Sequence, residues 1–183
     1  TLFRSWDEVY AWYSSSTLVA SPDDDITVRD NVIAHGGDAL RLTASHRVVD
    51  PAGVDVTGNL IYRATDDAFE FDGLGRHVRV RRNLVYDAHE SLGLSPVAEG
   101  PTVVERNLFL HPAGGLNGAQ MKLLDPGYSR GDTTPRIRGV RVEHNTFVGR
   151  WLAWWGPPVE DVVVASNLFD VRQATNPPWH PRV

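Results

Sequence analysis

Valine and isoleucine recur at alternate positions in six short phrases of this chain, and each phrase closes on asparagine. The phrases are ITVRDN, VDVTGN, VRVRRN, TVVERN, VRVEHN and VVVASN, ending at Asn31, Asn59, Asn83, Asn107, Asn145 and Asn167. Three residues before each Asn stand Val28, Val56, Val80, Val104, Val142 and Val164. Five before it stand Ile26, Val54, Val78, Thr102, Val140 and Val162. Most residues between and beside these are polar. Such alternation with period two predicts a half-buried strand, and β-branched side chains suit its inward face. Two residues past the Asn, the column Ile33, Ile61, Val85, Phe109, Phe147 and Phe169 is apolar throughout. It predicts a second short strand. A third is predicted in five units from DALRLT, DAFEFD, ESLGLS, AQMKLL and WLAWWG. Its inward pairs are Leu40/Leu42, Phe69/Phe71, Leu92/Leu94, Met121/Leu123 and Leu152/Trp154.

The six Asn residues are separated by 28, 24, 24, 38 and 22 residues. A period of this size means one supersecondary unit stacked many times. Stacked units pair strand on strand at about 4.8 Å, so like residues lie above like. Six carboxamides in one column at a turn can bond to one another and to neighbouring backbone, forming a ladder. The expected fold is therefore all-β: a parallel solenoid of about six coils over residues 22–172.

Residues 1–21 lack the repeat. Ser5 and Glu8 have capping-box spacing, and Trp6, Val9, Tyr10 and Tyr13 follow at helical intervals. They predict a short helix over about residues 6–14, either capping the stack or belonging to an insertion. Residues 173–183 contain three prolines and are expected to form a loop laid over the last coil. Two stretches, 111–118 and 125–136, lengthen the unit between Asn107 and Asn145 and are expected to form groove walls.

The VxVxxN phrases, the Asn column and the segment DDAFEFDG (66–73) followed by HVRVRRN resemble the right-handed parallel β-helix of the pectate-lyase-like superfamily. The resemblance covers roughly residues 22–172. It implies a secreted protein, extracellular or periplasmic. It does not fix a function, since sugar lyases, hydrolases and epimerases share this scaffold with adhesins and spikes.

Composition narrows the field. The net charge of −5 opposes a nucleic-acid groove. No apolar run is long enough to span a membrane. Cysteine is absent, which removes disulfides and thiolate chemistry. The sequence begins at Thr1 without a signal-peptide pattern, as expected of a processed chain or a piece of a longer one. Another chain, or further coils of the same protein, would then be a partner.

Chemistry gathers on the third strand. Its outward positions bring Arg41, Glu70 and Lys122 into one column, with Gly93 between the last two. Glu70 and Lys122 would stand roughly 9–10 Å apart, leaving a gap for one sugar ring. Asp72 lies two residues beyond Glu70. Trp151 and Trp155 would lie alongside as platforms for sugar faces; alternatively WLAWWG buries its tryptophans under the 125–136 loop. At the strand entrance Asp38, Asp67 and Glu90 align, and His35 and His89 share the turn. Stacked carboxylates must raise a pKa or share a cation, and oxygen ligands suit Ca²⁺. The alternative is that these acids cap turns and repeat because the coil repeats.

The leading expectation is a polysaccharide lyase acting by β-elimination on a uronic-acid glycan. Lys122 and Arg41 would neutralise the sugar carboxylate, His89 or His35 would take the C5 proton, and Glu70 and Asp67 would complete the catalytic group. Arg41, Asp72, Trp151 and Trp155 would bind substrate, and Asp38, Asp67 and Glu90 would hold any Ca²⁺. Glycoside hydrolysis, which needs two carboxylates, and epimerisation are the enzymatic rivals. A non-catalytic glycan-binding or structural β-helix segment is the other class.

Overall fold

In each asparagine phrase the backbone turns at the residue before the Asn. Asp30, Gly58, Arg82, Arg106, His144 and Ser166 all have positive φ, between 54° and 71°. Only one of them is glycine, so the turn holds five side-chain-bearing residues in a conformation they rarely adopt. The asparagines stabilise it. Asn83 illustrates the unit: its backbone N–H and its Nδ2 both donate to Asn107 Oδ1 at 2.9 Å, and Nδ2 also donates to Val56 O at 3.0 Å. In turn Asn83 Oδ1 accepts from the N–H and Nδ2 of Asn59. The same bonds run from Asn31 to Asn167. The ladder is as expected, except that the left-handed residue precedes the Asn instead of being the Asn.

The computed structural model describes residues 18–20, 25–42, 53–71, 77–94, 100–111, 119–123, 137–155 and 159–175. The strands are β1 (Leu18–Ala20), β2 (Ile26–Arg29), β3 (Val32–Ala34), β4 (Leu40–Leu42), β5 (Val54–Thr57), β6 (Leu60–Tyr62), β7 (Asp67–Glu70), β8 (Val78–Arg81) and β9 (Leu84–Tyr86). They continue as β10 (Glu90–Gly93), β11 (Thr102–Glu105), β12 (Leu108–Leu110), β13 (Ala119–Leu123), β14 (Ile137–Glu143), β15 (Thr146–Trp155), β16 (Val159–Ala165) and β17 (Leu168–Thr175). The strands preceding the asparagines form a six-stranded sheet in the order β16-β14-β11-β8-β5-β2. The others form an eleven-stranded sheet, β1-β4-β7-β10-β13-β15-β12-β9-β6-β3, with β17 also on β15. Every pairing is parallel.

The protein is thus a parallel β-solenoid of about four turns with buried Asn stacking. The six expected coils appear as six rungs of one sheet. Only four of those turns have three separate strands, because β15 runs straight through the corner that divides the second strand from the third elsewhere. The expected helix at 6–14, the 125–136 loop, most of 111–118, Asp72 and the tail from 176 lie outside the described residues.

Straightening of β15 changes one register. Lys122 pairs with Trp154, and Ala119, Met121 and Leu123 pair with Trp151, Ala153 and Trp155. Trp154 therefore takes the register position of Lys122, and Trp151 and Trp155 pair with Ala119 and Leu123 instead of with the outward positions expected for them. The sequence reading placed a turn before WLAWWG that the chain does not make, and a one-residue slip reverses every position.

The interior follows the predicted columns. Val56, Val80, Val104 and Val142 are fully buried in one row, as are Ile61, Val85, Phe109 and Phe147 in another. Phe109 stacks on Phe147 at 4.9 Å, and Phe147 on Phe169 at 5.3 Å. The sixth rung is less covered: Val164 and Phe169 are about 40 % exposed.

Candidate functional site

Third strands of successive turns lie in parallel register, which aligns their first residues. Glu90 pairs with Asp67, and the outward column runs Arg41, Glu70, Gly93, Lys122. The expected columns are therefore present, but the space between them is filled. A Cβ at Gly93 would lie 2.6 Å from Asp67 Oδ2, so the Asp67 carboxylate occupies the gap expected to admit a sugar ring. Lys122 Nζ donates to that oxygen at 2.5 Å and stands 3.6 Å from Glu90 Oε2. Arg41 lies 3.6 Å from both Asp38 and Glu70.

Burial divides the cluster into two layers. Asp38, Asp67 and Glu90 are buried, and Glu70 nearly so. Asp66 and His89 form the rim, with side chains 23 % and 12 % exposed. His89 Nδ1 lies 3.7 Å from Glu90 Oε1 and 3.9 Å from Asp66 Oδ1. His35 does not join them. Its ring meets Tyr62 edge-on at 5.5 Å, one corner away on an earlier rung.

The buried acids cannot all ionise. Loss of water pushes the Glu90 carboxyl well above the ordinary glutamate range, and the neighbouring Asp67 charge pushes the same way against Lys122. Burial also raises Asp67, while Lys122 and a hydrogen bond with Glu90 oppose the rise. Both carboxyls are raised, Glu90 the further, and Asp67 is the one that closes on Lys122.

Two groups offer three ligand atoms within 4.8 Å of one another: Asp66, His89 and Glu90, and Asp38, Asp66 and Asp67. Either has the donors for a divalent cation. The expected Ca²⁺ set of Asp38, Asp67 and Glu90 is not one of these groups. Lys122 already faces Asp67 and Glu90, and Arg41 faces Asp38, so the chain's own cations supply the counter-charge along that column.

A second buried polar group escaped the sequence reading. Ser91 Oγ donates to Gln120 Oε1 at 2.8 Å and lies 2.9 Å from His111 Nε2. Gln120 Nε2 donates to Val148 O. Because the serine proton goes to Gln120, His111 must donate from Nε2 to Ser91. It cannot serve as base toward that hydroxyl, so the trio is a structural bridge and not a nucleophile. The available signal was Ser91 and Gln120 occupying successive rungs of a column otherwise filled by Ala39 and Ala68, all four fully buried. The described residues also form a cavity of about 400 Å³ on the six-stranded sheet, walled by Asp25, Asp55, His77 and Arg79. None of the carboxylate cluster lines it.

Comparison of the chain with family models, with curated proteins and with solved structures gives no match in any of the three.

Proposed function

We propose that the rim of Asp66 and His89, backed by Glu90, is the active site of a glycan-cleaving enzyme. The solenoid would be right-handed, as parallel crossovers almost always are, and related in fold to the pectate-lyase-like superfamily that the sequence resembles. The observation that carries the proposal is the Asp66–His89–Glu90 group, with ligand atoms within 4.8 Å of one another and Glu90 held in its acid form. A buried acid with a raised pKa beside a more exposed carboxylate is an arrangement that acid–base chemistry uses. Glu90 is the proton source, and His89, 3.7 Å away, passes the proton to the leaving oxygen. Asp66, the more exposed acid, attacks or activates water. Asp67 and Lys122 position Glu90 from behind.

These roles favour glycoside hydrolysis over the β-elimination expected from the sequence. A lyase reading would draw on Arg41 and Lys122, which pair with the acids of the same cluster, so one experiment should decide between them. The purified chain is incubated with a polysaccharide panel, following new reducing ends and the ultraviolet absorbance of unsaturated sugars. Reducing ends without absorbance support hydrolysis; both together support the lyase. Asp66→Asn and Glu90→Gln should each reduce turnover by about 10²–10⁴-fold. Binding without turnover, or a Glu90→Gln variant as active as the parent, would reject the enzyme in favour of a binding module.

A further inference from the structure

We infer that the sugar this site accepts at its reacting position carries no carboxylate. The inference rests on the glycan reading above and names the substrate class. Among the described residues five carboxyl groups gather on this edge: Asp38, Asp66, Asp67 and Glu90 at the strand entrance and Glu70 beyond them on Arg41. Two permanent cations face them, Arg41 and Lys122, and both are already engaged. Lys122 Nζ is 2.5 Å from Asp67 and 3.6 Å from Glu90; Arg41 is 3.6 Å from Asp38 and Glu70.

The five carboxyl groups outnumber the two permanent cations, and both cations are already paired with buried acids. A uronate would add another negative charge to this edge. To be neutralised it would have to draw Lys122 away from Asp67, or Arg41 away from Asp38. Each move strips the counter-charge from a fully buried carboxylate, the most costly way to break such a pair. A neutral or amino-bearing sugar asks for neither. The same two cations that a uronate-specific site would present to substrate are here committed to the protein.

The test compares matched glycans on the full chain: polygalacturonate, its methyl-esterified form, a neutral glucan and chitosan. Initial rates are measured on the parent. Binding is measured on Glu90→Gln, which keeps the charge of the protonated acid. At least one carboxylate-free glycan should be bound or cleaved about tenfold or more better than polygalacturonate, as one like-charge contact implies. The deficit of polygalacturonate should shrink as salt screens it. Polygalacturonate bound or cleaved as well as the best carboxylate-free glycan overturns the inference while leaving the enzyme intact. Preferential binding of carboxylate-free glycans without turnover supports it while removing the enzyme. Failure of every glycan to bind overturns both.

Discussion

Asp67 lies across the face of Gly93, its Oδ2 only 2.6 Å from where a β-carbon on residue 93 would stand. The contact explains why a strand in the middle of the sheet carries glycine there. The absent side chain lets a carboxylate from the preceding rung reach the ammonium of Lys122 on the following one. Gly93→Ala should push Asp67 aside and separate it from Lys122. Overpacking of this kind costs about 1–3 kcal/mol. Chemical denaturation should detect the loss, and an alanine variant as stable as the parent would show that residue 93 has room to spare.

Lys122 is a structural cation as much as a site residue. An outward strand position by itself implies an exposed side chain whose removal leaves stability nearly unchanged. The Lys122 ammonium instead closes a pair with a fully buried carboxylate and is itself only 19 % exposed. Lys122→Ala should destabilise by about 3 kcal/mol, the lower end for breaking a buried pair, since the ammonium keeps some water. Lys122→Met with Asp67→Leu should recover much of that loss, because both charges then leave together. A double variant no more stable than Lys122→Ala would mean that the pair is not what holds the corner.

The parts of this fold legible in the sequence were those fixed by repetition. Val80 and Asn83 recur at the same offset in six phrases, and stacking leaves such residues one arrangement. The Arg41, Glu70, Gly93, Lys122 column was legible for the same reason. What one phrase alone could not show was where a side chain leans after leaving its strand. Asp67 and Glu70 begin and end the same strand, yet Asp67 turns across Gly93 and fills the gap expected for substrate. Trp151 and Trp155 were misplaced because β15 lacks the corner of its neighbours, and no neighbouring phrase revealed that. Ser91 and Gln120 looked like outward polar residues on alternation, but the corner covers that whole column.

The asparagine ladder makes its own prediction. Asn83 joins the asparagines of the rungs on both sides and the Val56 carbonyl of the preceding rung. Asn83→Leu removes those partners while leaving the Asn59 N–H and Val56 carbonyl buried. Each unsatisfied group costs about 1–3 kcal/mol. The variant should melt well below the parent, more so than Asn31→Leu, since Asn31 is exposed and heads the ladder. Equal effects at the two positions would argue against a cooperative buried column.

Stability should depend on pH through Glu90. Its carboxyl is raised above the ordinary glutamate value of 4.5 by burial and by Asp67. Between 4.5 and the folded-state value, the folded chain therefore binds more protons than the unfolded chain. By linkage, the stability that this group contributes is complete below 4.5 and is lost as pH rises through that window. Asp67, also raised, acts in the same direction. Glu90→Gln mimics the protonated acid and cannot ionise, so its stability relative to the parent should improve as pH climbs from 4.5 toward neutrality. Parallel stability curves for the two proteins would show that Glu90 does not change its protonation on folding.

Stereochemistry gives the sharpest test of the hydrolytic reading. Asp66 lies 3.9 Å from His89, and each has an atom within 4.8 Å of Glu90. Inverting glycosidases keep their two catalytic groups roughly 6.5–9.5 Å apart so that a water fits beside the sugar; retaining ones hold them at about 5–5.5 Å. The separations here lie nearer the retaining spacing than the inverting one. Asp66 must then attack the anomeric carbon itself while the Glu90 proton travels through His89 to the leaving oxygen. Water afterwards releases the sugar from Asp66, with His89 taking its proton and returning it to Glu90. Two displacements restore the starting configuration. Proton NMR of a freshly cleaved oligosaccharide should show the product anomer matching the substrate before mutarotation mixes the two. An inverted first product would mean that Asp66 is not the nucleophile and that the attacking water is held by residues outside this group.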